Sequence, residues 1–496
     1  MKLLNLISGL QYAVIRMAQP IEQITIEKLA FHSGSVVPGA LFVCITGESC
    51  DGHTFAAEAC SRGAVVIVVE KLVKDGQMLP LPEGVTVLLV KDTREALARM
   101  SAAYFGYPAG RLKIIGVTGT KGKTTVAWML YRMLTEAGAR AGLIGTIEHI
   151  VGEKRIPAGN TTPESFTIQE YFAKMVEAGC EYAVMEVSSQ GIRQKRIEGI
   201  PFEAGVFTNF GEDHVGPGEH ASLGEYRYYK SLLFRQCRIG IGNLDDLQCG
   251  YMFRRALCEK YGFTCQKKGA EHVLSAEQIR FGRSVPETTF RVEDTVYTLG
   301  MPGMFNVYNA LAALQTMRCL GFDIRKMKSV LASMQVRGRM ERISIGKNIA
   351  CYIDYAHNAM SLQNVLTTLR CYQPERILLV FGCGGNRAKG RRTEMGEAAG
   401  RMADLTFLTS DNPRFEEPED IIRDIEEGMQ KTRGRYRILT DRREAIRAAV
   451  AEAKSGDVLL IAGKGHEDYQ EIRGVKYPMD DRELVAEAVR GEENGI

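Results

Sequence analysis

Short runs of β-branched and other apolar residues alternate with longer helical stretches along the whole chain. This pattern predicts an α/β fold with mainly parallel sheets, because a pair of parallel strands needs a crossover connection that is usually a helix. Ligands bind such sheets at the carboxyl ends of the strands, so we expect the active site in the loops that follow them. The predicted strands are residues 41–45, 64–69, 85–90, 113–117, 182–187, 204–208, 350–354, 377–381, 405–409 and 458–461, and the predicted helices include 124–137 and 305–319.

A chain of 496 residues is longer than one hydrophobic core usually organises, so several domains are expected. Pro108 and Gly110 interrupt the pattern at a first boundary, and Gly338 lies at a second. We therefore predict three α/β domains, which are residues 1–109, 110–336 and 337–496.

The composition excludes several classes of protein. Lys and Arg total 63 and Asp and Glu total 60, and this net charge of +3 gives no reason to expect nucleic acid or an anionic membrane as a partner. The longest apolar runs have the length of buried strands and fall short of the ~20 residues of a membrane helix. The 12 cysteines are scattered without a C-x-x-C pair, which argues against a zinc ribbon or a disulfide framework. We expect a cytoplasmic protein with reduced, mostly buried thiols.

A glycine-rich loop joins the strand predicted at 113–117 to the helix predicted at 124–137. Glycines let the backbone curl so that its N–H groups and the helix N-terminus face an anion. Lys123 is predicted to reach the β- and γ-phosphates of a nucleotide, and the Thr124 hydroxyl to ligate magnesium. Val117 stands where the strict phosphate-loop pattern has glycine, so the match is to a variant of that pattern.

Charged residues also follow the neighbouring predicted strands. Glu186 ends the strand at 182–187, where a carboxylate beside the phosphate loop is placed to hold Mg²⁺. Asp213 and His214 follow the strand at 204–208, and Lys230 comes later in a helical stretch. Taken alone, His214 would more often be structural, and Lys230 would be a solvated helix lysine.

The phosphate loop is the first of a series of motifs that spans nearly the whole chain. The series continues with Asn160-Thr161-Thr162-Pro163, residues 185–189, Thr208-Asn209, Asp213-His214, the segment around Lys230, Asp354-Tyr355-Ala356-His357-Asn358 and Gly463-Lys464-Gly465-His466-Glu467. In this order the motifs resemble those of the Mur ligase family. The resemblance implies an N-terminal UDP-substrate domain, a central ATP-binding ligase domain and a C-terminal Rossmann-like domain that binds the incoming amino acid.

The resemblance also assigns roles by position. It implies catalysis by Lys123, Glu186, His214 and Lys230, with Lys230 carbamylated by CO₂ and two Mg²⁺ ions held by Thr124, Glu186, His214 and Lys230. The residues expected to contact ATP are Gly119, Thr120, Gly122, Lys123, Thr124, Thr125, Asn306, Asn309, Arg339, Asp354, His357 and Asn358. The residues expected to bind the other substrates are Ser33, Thr161, Thr162, Ser188, Gln194, Arg196, Arg387, Asp411, Asn412, Pro413, Arg414, Gly463 and Glu467.

The segment from Asp411 to Arg414 resembles the D-N-P-R motif of family members that add meso-diaminopimelate to the peptidoglycan stem peptide. The Arg414 guanidinium can grip the second carboxylate of this amino acid, which L-lysine lacks, and Glu467 suits its distal ammonium. We therefore expect an ATP-dependent ligase that adds this third stem residue to UDP-N-acetylmuramoyl-L-alanyl-D-glutamate through an acyl phosphate. We expect it to act as a monomer in the bacterial cytoplasm.

Other interpretations remain open. The same chemistry could use L-lysine or a modified precursor, since His32 and Gly34 replace the residues usual on either side of Ser33. A folylpolyglutamate-type ligase is a second hypothesis, although the N-terminal block and Arg414 argue against it. A nucleotide-binding scaffold that no longer ligates is disfavoured by the complete set of expected catalytic residues. A small-molecule kinase would release a phosphorylated product without consuming an amine.

Overall fold

The computed structural model describes residues 1–47, 50–74, 77–212, 216, 219–266, 270–282, 287–346 and 349–493. The chain divides into two compact units. The first contains residues 1–264, 269–273 and 312–322, and the second contains residues 265–268, 274–311 and 323–496. Within the described ranges, no helix is both long enough and apolar enough to cross a membrane.

The first unit begins with a five-stranded sheet of order β1-β7-β4-β3-β2, in which β1 pairs antiparallel and the other pairs are parallel. Apolar clusters cover both of its faces, as a parallel sheet requires. The strands, including the small hairpin β5–β6, are β1 (Tyr12–Arg16), β2 (Leu29–Ala30), β3 (Ala40–Val43), β4 (Ala64–Val69), β5 (Val73–Lys74), β6 (Gln77–Met78) and β7 (Thr86–Val90). The helices are α1 (Leu3–Leu6), α2 (Ala56–Ser61) and α3 (Thr93–Tyr104).

A nine-stranded sheet of order β11-β10-β9-β12-β8-β13-β14-β15-β16 follows. Its central strand β8 lies between β12 and β13 and is parallel to both, so three loops meet at one edge of the sheet. The strands are β8 (Lys113–Thr118), β9 (Ala141–Ile144), β10 (Glu148–Val151), β11 (Lys154–Pro157), β12 (Tyr182–Glu186), β13 (Phe202–Phe207), β14 (Cys237–Asn243), β15 (Glu259–Thr264) and β16 (Val273–Ser275). The helices are α4 (Lys123–Glu136), α5 (Ser165–Glu177), α6 (Ser189–Arg193), α7 (Leu223–Leu232) and α8 (Cys249–Met252).

The second unit contains a three-stranded antiparallel sheet that we did not predict, formed by β17 (Glu277–Phe281), β18 (Thr288–Val292) and β19 (Thr295–Leu299). A two-residue turn at Glu293 and Asp294 joins β18 to β19, with φ of +52° at Glu293. This turn lacks the glycine that usually marks a tight hairpin in a sequence, which explains the omission. The helices α9 (Met304–Cys319) and α10 (Lys328–Ala332) follow.

A six-stranded sheet of order β20-β21-β25-β22-β23-β24 completes the second unit, with β20 antiparallel and the other pairs parallel. Apolar clusters again cover both faces. The strands, with the hairpin β26–β27, are β20 (Glu341–Ser344), β21 (Ala350–Asp354), β22 (Ile377–Phe381), β23 (Leu405–Leu408), β24 (Tyr436–Ile438), β25 (Val458–Ala462), β26 (Tyr469–Ile472) and β27 (Val475–Pro478). The helices are α11 (Ala359–Arg370), α12 (Lys389–Met402), α13 (Pro418–Gln430), α14 (Arg442–Glu452) and α15 (Asp481–Glu493).

The α/β class is confirmed, and every predicted strand and helix is present with its ends within two residues of the prediction. Gly138, which follows the end of α4, has a φ of +83°, the left-handed conformation that often ends a helix. Six of the twelve cysteine thiols are buried, fewer than the majority that the sequence analysis expects.

Candidate active site

The phosphate loop leaves β8 at the middle of the nine-stranded sheet and enters α4. Gly119 and Gly122 have φ angles of +150° and +85°, which glycine adopts without strain. A Cβ atom on Gly119 would also collide with the Thr208 hydroxyl oxygen, so the approach of the loop to the end of β13 requires glycine there. The loop therefore has the curled form that the sequence predicts.

Hydrogen bonds fix this loop to the end of β13. The Thr120 N–H donates to the Asn209 carbonyl (2.9 Å), and the Lys121 N–H donates to the Asn209 side-chain oxygen (2.9 Å). The Thr208 hydroxyl donates to the Lys121 carbonyl (2.6 Å). The shape of the loop is thus set by the protein itself, which reduces the ordering that nucleotide binding would require.

Lys123 is the first residue of α4, and its ammonium turns back into the loop. Nζ donates to the carbonyl oxygens of Gly119 (2.8 Å) and Thr120 (3.1 Å). Thr125, two residues further along α4, is buried. An ammonium that donates to carbonyl oxygens at a helix N-terminus can exchange them for phosphate oxygens.

Thr124 and Glu186 meet beside the loop. The Thr124 hydroxyl donates to Glu186 Oε2 (2.9 Å), and Glu186 is 1% exposed at the end of β12. Carboxylate and hydroxyl oxygens are the ligands that Mg²⁺ prefers, so this pair fits the metal predicted from the sequence. Among the described residues no group of three or more His, Cys, Asp or Glu side chains could hold a metal. Phosphate and water oxygens could add to the ligands that this pair provides to a bound Mg²⁺.

Lys230 on α7 lies on the other side of the phosphate loop and is 1% exposed. Its Nζ donates to the Gly119 carbonyl (2.8 Å) and lies 4.4 Å from the centre of the Tyr226 ring. The Tyr226 hydroxyl donates to Thr120 Oγ1 (3.1 Å). Tyr226 thus supports both the loop and the lysine, a role that the sequence analysis missed. His214 lies outside the described residues, and its role stays a prediction.

The predicted substrate residues of the first unit cluster behind Glu186. The Thr162 hydroxyl donates to the Glu186 carbonyl (2.9 Å) and accepts from the Ser188 N–H (3.0 Å). Arg196 donates to the Thr162 carbonyl (2.7 Å). The Ser188 hydroxyl caps α6 by accepting from the Gly191 N–H, and Gln194 follows that helix half-buried. The fold therefore brings the expected substrate loop, residues 160–163, next to Glu186, the carboxylate expected to bind the metal.

Ser33 is more distant in the sequence and begins a short 3₁₀ turn, Ser33–Ser35. Its neighbours His32 and Ser35 line a cavity of about 500 Å³. The other walls are Lys28, Leu29, Phe31, Tyr104, Phe105, Phe166, Thr167 and Glu170. The cavity combines aromatic rings with one lysine, a lining that suits a flat, charged organic molecule.

His149 on β10 is buried behind the turn that follows β9. Its Nδ1 accepts a hydrogen bond from the Gly145 N–H (3.3 Å), and it is 3% exposed. Burial lowers the pKa of the imidazole to about 4. The folded protein therefore holds His149 neutral, with Nδ1 as an acceptor.

We expect the free energy of unfolding to fall as the pH drops from about 6.5 to about 4, because His149 takes up its proton near pH 6.5 when unfolded but only near pH 4 when folded. Above pH 6.5 the residue is neutral in both states and its contribution is fully present. Denaturant unfolding of the wild type and of His149→Asn measures this, since the asparagine oxygen can still accept from Gly145. A stability difference between the two proteins that stays constant from pH 7 to pH 4 would show the expectation to be wrong.

In the second unit, the residues expected to contact ATP occupy two places. Asn306 and Asn309 lie on the first turns of α9 and are both buried. Asn309 donates to the Asn306 side-chain oxygen (3.0 Å), and Asn306 donates to the Pro302 carbonyl (2.9 Å). This chain of amides holds the start of α9 in a fixed conformation.

The other place is the end of β21. The Asp354 carboxylate accepts from the Met340 N–H (2.8 Å), and the Arg339 guanidinium lies 4.7 Å from the centre of the Tyr355 ring. His357 is exposed and its Nδ1 is bonded to the Tyr355 carbonyl (2.8 Å). The Asn358 side chain caps α11 by accepting from the Ser361 N–H, so it also has a structural role.

The D-N-P-R segment and the G-K-G-H-E segment form one polar pocket at the ends of β23 and β25. Asn412 donates to Glu467 Oε2 (2.8 Å) and accepts from Lys464 Nζ (3.2 Å). Burial and Asp411 raise the pKa of Glu467, while Lys464, which is fully buried, opposes the shift. Gly463 has a φ of +110°, and a Cβ there would lie 2.5 Å from Asp411. The sequence analysis did not identify Lys464 as part of this pocket.

Arg414 lies at the rim of this pocket, after the buried Pro413, and is already engaged. Its Nε is 3.2 Å from Glu471 Oε2, and its Nη1 donates to the Gly385 carbonyl (2.7 Å). Arg387 is exposed in the loop before α12. The pocket thus presents a carboxylate, an ammonium and a guanidinium, but the guanidinium is shared with a carboxylate of the chain itself.

Comparisons with known proteins agree with this geometry. Three family models match the chain, described as Mur ligase family, catalytic domain (residues 25–105), Mur ligase middle domain (117–317) and Mur ligase, glutamate ligase domain (338–465). The UDP-N-acetylmuramoyl-L-alanyl-D-glutamate--2,6-diaminopimelate ligase of Caldanaerobacter subterraneus subsp. tengcongensis is 38% identical over 492 residues, which cover 98% of each chain. The ligase of the same name from Geobacillus thermodenitrificans is 39% identical over 508 residues, which cover 99% of each chain.

Solved structures give the same result. A structure of a ligase of that name aligns with a TM-score of 0.70 at 28% identity, covering 99% of each chain. A MurF ligase from Thermotoga maritima in complex with ADP shares the fold, with a TM-score of 0.58 at 19% identity over 95% of this chain and 99% of the other. Because the sequence identity approaches 40% over nearly the full length of both partners, this chain belongs to the Mur ligase family.

Proposed function

We propose that this chain is an ATP-dependent amide ligase that adds meso-diaminopimelate to UDP-N-acetylmuramoyl-L-alanyl-D-glutamate, the third-residue step of the peptidoglycan stem peptide. The observation that carries the proposal is the meeting of two loops at Glu186. Its side chain accepts from Thr124 of the phosphate loop, and its carbonyl accepts from Thr162 of the expected substrate loop. A nucleotide phosphate and a substrate carboxylate bound to these loops would lie side by side.

In the first step, an oxygen of the substrate carboxylate attacks the γ-phosphorus of ATP. The bond from that phosphorus to the β,γ-bridging oxygen breaks, so an acyl phosphate and ADP form. Lys123 exchanges its carbonyl partners for phosphate oxygens and neutralises charge as the phosphoryl group moves. Thr124 and Glu186 would hold Mg²⁺ through their oxygens, and the bound ion would supply further charge neutralisation.

In the second step, the amino group of the incoming amino acid attacks the acyl carbon. The amide C–N bond forms, the C–O bond to phosphate breaks, and the nitrogen loses a proton. Glu467 and Lys464 lie in the second unit's polar pocket, where they suit the ammonium and carboxylate groups of an amino acid. Arg414 supplies the grip on the second carboxylate of meso-diaminopimelate.

We also propose that Lys230 is carbamylated, as the family resemblance implies. Its ammonium would first lose one proton. The neutral amine would then attack CO₂, forming an N–C bond as one C=O π bond opens and releasing a second proton, so that a carbamate anion replaces the ammonium. As an ammonium, Lys230 donates to Gly119 and cannot ligate a cation. As a carbamate beside the phosphate loop, it would provide, with His214, the oxygen and nitrogen ligands of a second Mg²⁺.

The substrate's uridine end fits the cavity beside Ser33, whose aromatic walls suit a base and whose Lys28 suits a phosphate. The three family matches fall within the predicted domains 1–109, 110–336 and 337–496, which supports those boundaries. We place the enzyme in the bacterial cytoplasm as a monomer; its cysteine thiols are compatible with that reducing compartment.

Mass spectrometry of products tests the proposal directly. With ATP and UDP-N-acetylmuramoyl-L-alanyl-D-glutamate, we expect a tripeptide product with meso-diaminopimelate and little with L-lysine. Arg414→Ala should raise KM for meso-diaminopimelate about 10- to 100-fold, because a hydrogen bond between charged groups contributes about 1.5–3 kcal/mol.

Arg423→Ala provides a matched control, since Arg423 pairs with Asp420 on an exposed face of α13. It should leave KM for the amino acid unchanged. Product formation with L-lysine alone would refute the assignment of Arg414, and amine-independent release of ADP would indicate a kinase instead. A protein that binds ATP but forms no amide with any muramoyl precursor would be a scaffold.

A further inference from the structure

Thr146 lies in the turn between β9 and β10 and is bonded to both halves of the site. Its N–H donates to Glu186 Oε1 (2.7 Å), and its hydroxyl donates to Glu186 Oε2 (3.0 Å). The same hydroxyl is 3.0 Å from the Thr161 hydroxyl of the substrate loop. No motif in the sequence pointed to this residue.

The hydroxyl groups have a defined direction of donation. Thr146 Oγ1 has one proton, which it gives to the carboxylate, since an ionised carboxylate can only accept. Its lone pairs then accept the proton of Thr161, so the chain of bonds runs from Thr161 through Thr146 to Glu186. A movement of the Thr161 hydroxyl can therefore alter the orientation of the Glu186 carboxylate through the Thr146 hydroxyl alone.

The position of the turn is tightly constrained. A Cβ atom on Gly145 would lie 2.7 Å from Glu186 Oε1, so the backbone passes as close to the carboxylate as a glycine allows. Thr124 Oγ1, on the phosphate loop, is also 2.9 Å from Oε2. Both oxygens of the Glu186 carboxylate are thus hydrogen-bonded, Oε1 to the Thr146 N–H and Oε2 to the hydroxyls of Thr124 and Thr146.

The substrate loop has its own anchors. Glu164, shortly after Thr161, pairs with Arg196 (2.8 Å) and with Arg94 of α3 (3.2 Å). All of these side chains are mostly buried, so their interactions are only weakly screened. Thr146 is the point where this anchored loop touches the side chain of the metal carboxylate.

We propose that Thr146 is a positioning residue that couples occupancy of the muramoyl-peptide loop to the binding of magnesium nucleotide. This inference rests on the proposed function for the identity of the substrate. When the substrate orders Thr161, the hydroxyl of Thr146 is held and Glu186 keeps the orientation that the metal needs. Groups that orient a metal ligand typically change metal affinity 10- to 100-fold when they are removed.

The test compares Thr146→Ser with Thr146→Ala, two variants that differ in one oxygen atom and share the loss of the methyl group. Calorimetry measures binding of a non-hydrolysable ATP analogue over a range of Mg²⁺ concentrations, with and without UDP-N-acetylmuramoyl-L-alanyl-D-glutamate. We expect Thr146→Ala to need about 10-fold more Mg²⁺ than Thr146→Ser. We also expect the dipeptide substrate to strengthen nucleotide binding in the wild type and Thr146→Ser, and this coupling to disappear in Thr146→Ala.

Thr135→Ala is a matched control, because the exposed Thr135 hydroxyl of α4 bonds only within its own helix to the Tyr131 carbonyl (2.8 Å). It should match the wild type in both measurements. Equal Mg²⁺ requirement and equal coupling in Thr146→Ala and Thr146→Ser would overturn the inference. The Mg²⁺ comparison needs no amide product. A wild type that makes no tripeptide would therefore contradict the proposed function, while the comparison of Thr146→Ala with Thr146→Ser would still test the role of Thr146.

Discussion

Replacing Lys123 by alanine is expected to lower kcat/KM for ATP-dependent amide formation by about 10³-fold, equivalent to about 4 kcal/mol of transition-state stabilisation. Lys123 is the charged donor at the start of α4, and its Nζ is held within the phosphate loop by two carbonyl oxygens. Its charge matters most while the γ-phosphoryl group is in transit, because the negative charge then spreads over the transferring oxygens. Steady-state kinetics with a coupled assay for ADP measures the effect.

Lys121→Ala is the control, since it removes the same charge from the same loop. The backbone of Lys121 is bonded to Asn209 and the end of β13, and we expect a loss below 10-fold. Both variants should fold normally, because the backbone hydrogen bonds that hold the loop to Thr208 and Asn209 do not depend on either ammonium. If Lys123→Ala keeps activity within 10-fold of the wild type, phosphoryl transfer does not take place at this loop.

The variant Asp481→Asn is expected to destabilise the second unit by about 3–5 kcal/mol. Asp481 begins α15 and pairs bidentately with Arg442 at 2.7 Å and 2.7 Å, and both side chains are fully buried. The neutral amide would leave the guanidinium charge without a counter-charge inside the protein, where water cannot replace it. Denaturant unfolding followed by fluorescence or circular dichroism measures the loss.

Glu487→Gln is the matched control for that variant. Glu487 pairs with Arg443 across the same two helices, α14 and α15, but both side chains are largely exposed. We expect this change to cost at most about 1 kcal/mol, since water solvates the remaining charge. The double variant Arg442→Leu with Asp481→Leu should cost less than Asp481→Asn alone, because it leaves no unpaired charge. Equal losses in the free energy of unfolding for Asp481→Asn and Glu487→Gln would show that burial does not determine the contribution of the Arg442–Asp481 pair to stability.

The Arg442–Asp481 pair also connects stability to the amino acid pocket. Arg442 donates to the carbonyl oxygens of Ser410 (3.4 Å) and Ala462 (3.1 Å). These residues come directly before Asp411 and Gly463, which lie in the polar pocket. The pocket is therefore built on a buried ion pair.

The sequence determined the class of the fold and the position of its elements. Strands such as β4 and β22 are continuous apolar runs, because a parallel strand between two layers of helices is buried on both faces. The curled backbone between β8 and α4 was also predicted from the sequence, since its glycines adopt a geometry that is local in the chain. The antiparallel strands β17 to β19 escaped prediction because a hairpin turn without glycine leaves little local signal.

Only the tertiary structure decided which side chains share a site. Thr146 contacts Glu186 because β12 inserts between β8 and β9 in the sheet, and this strand order is not a property of any local segment. Arg414 contacts Glu471 for a similar reason, since hairpin β26–β27 returns to the end of β23. Local patterns fix backbone conformation, whereas contacts across 40 or 57 residues depend on the order in which strands pair, and that order is settled by packing of the whole sheet.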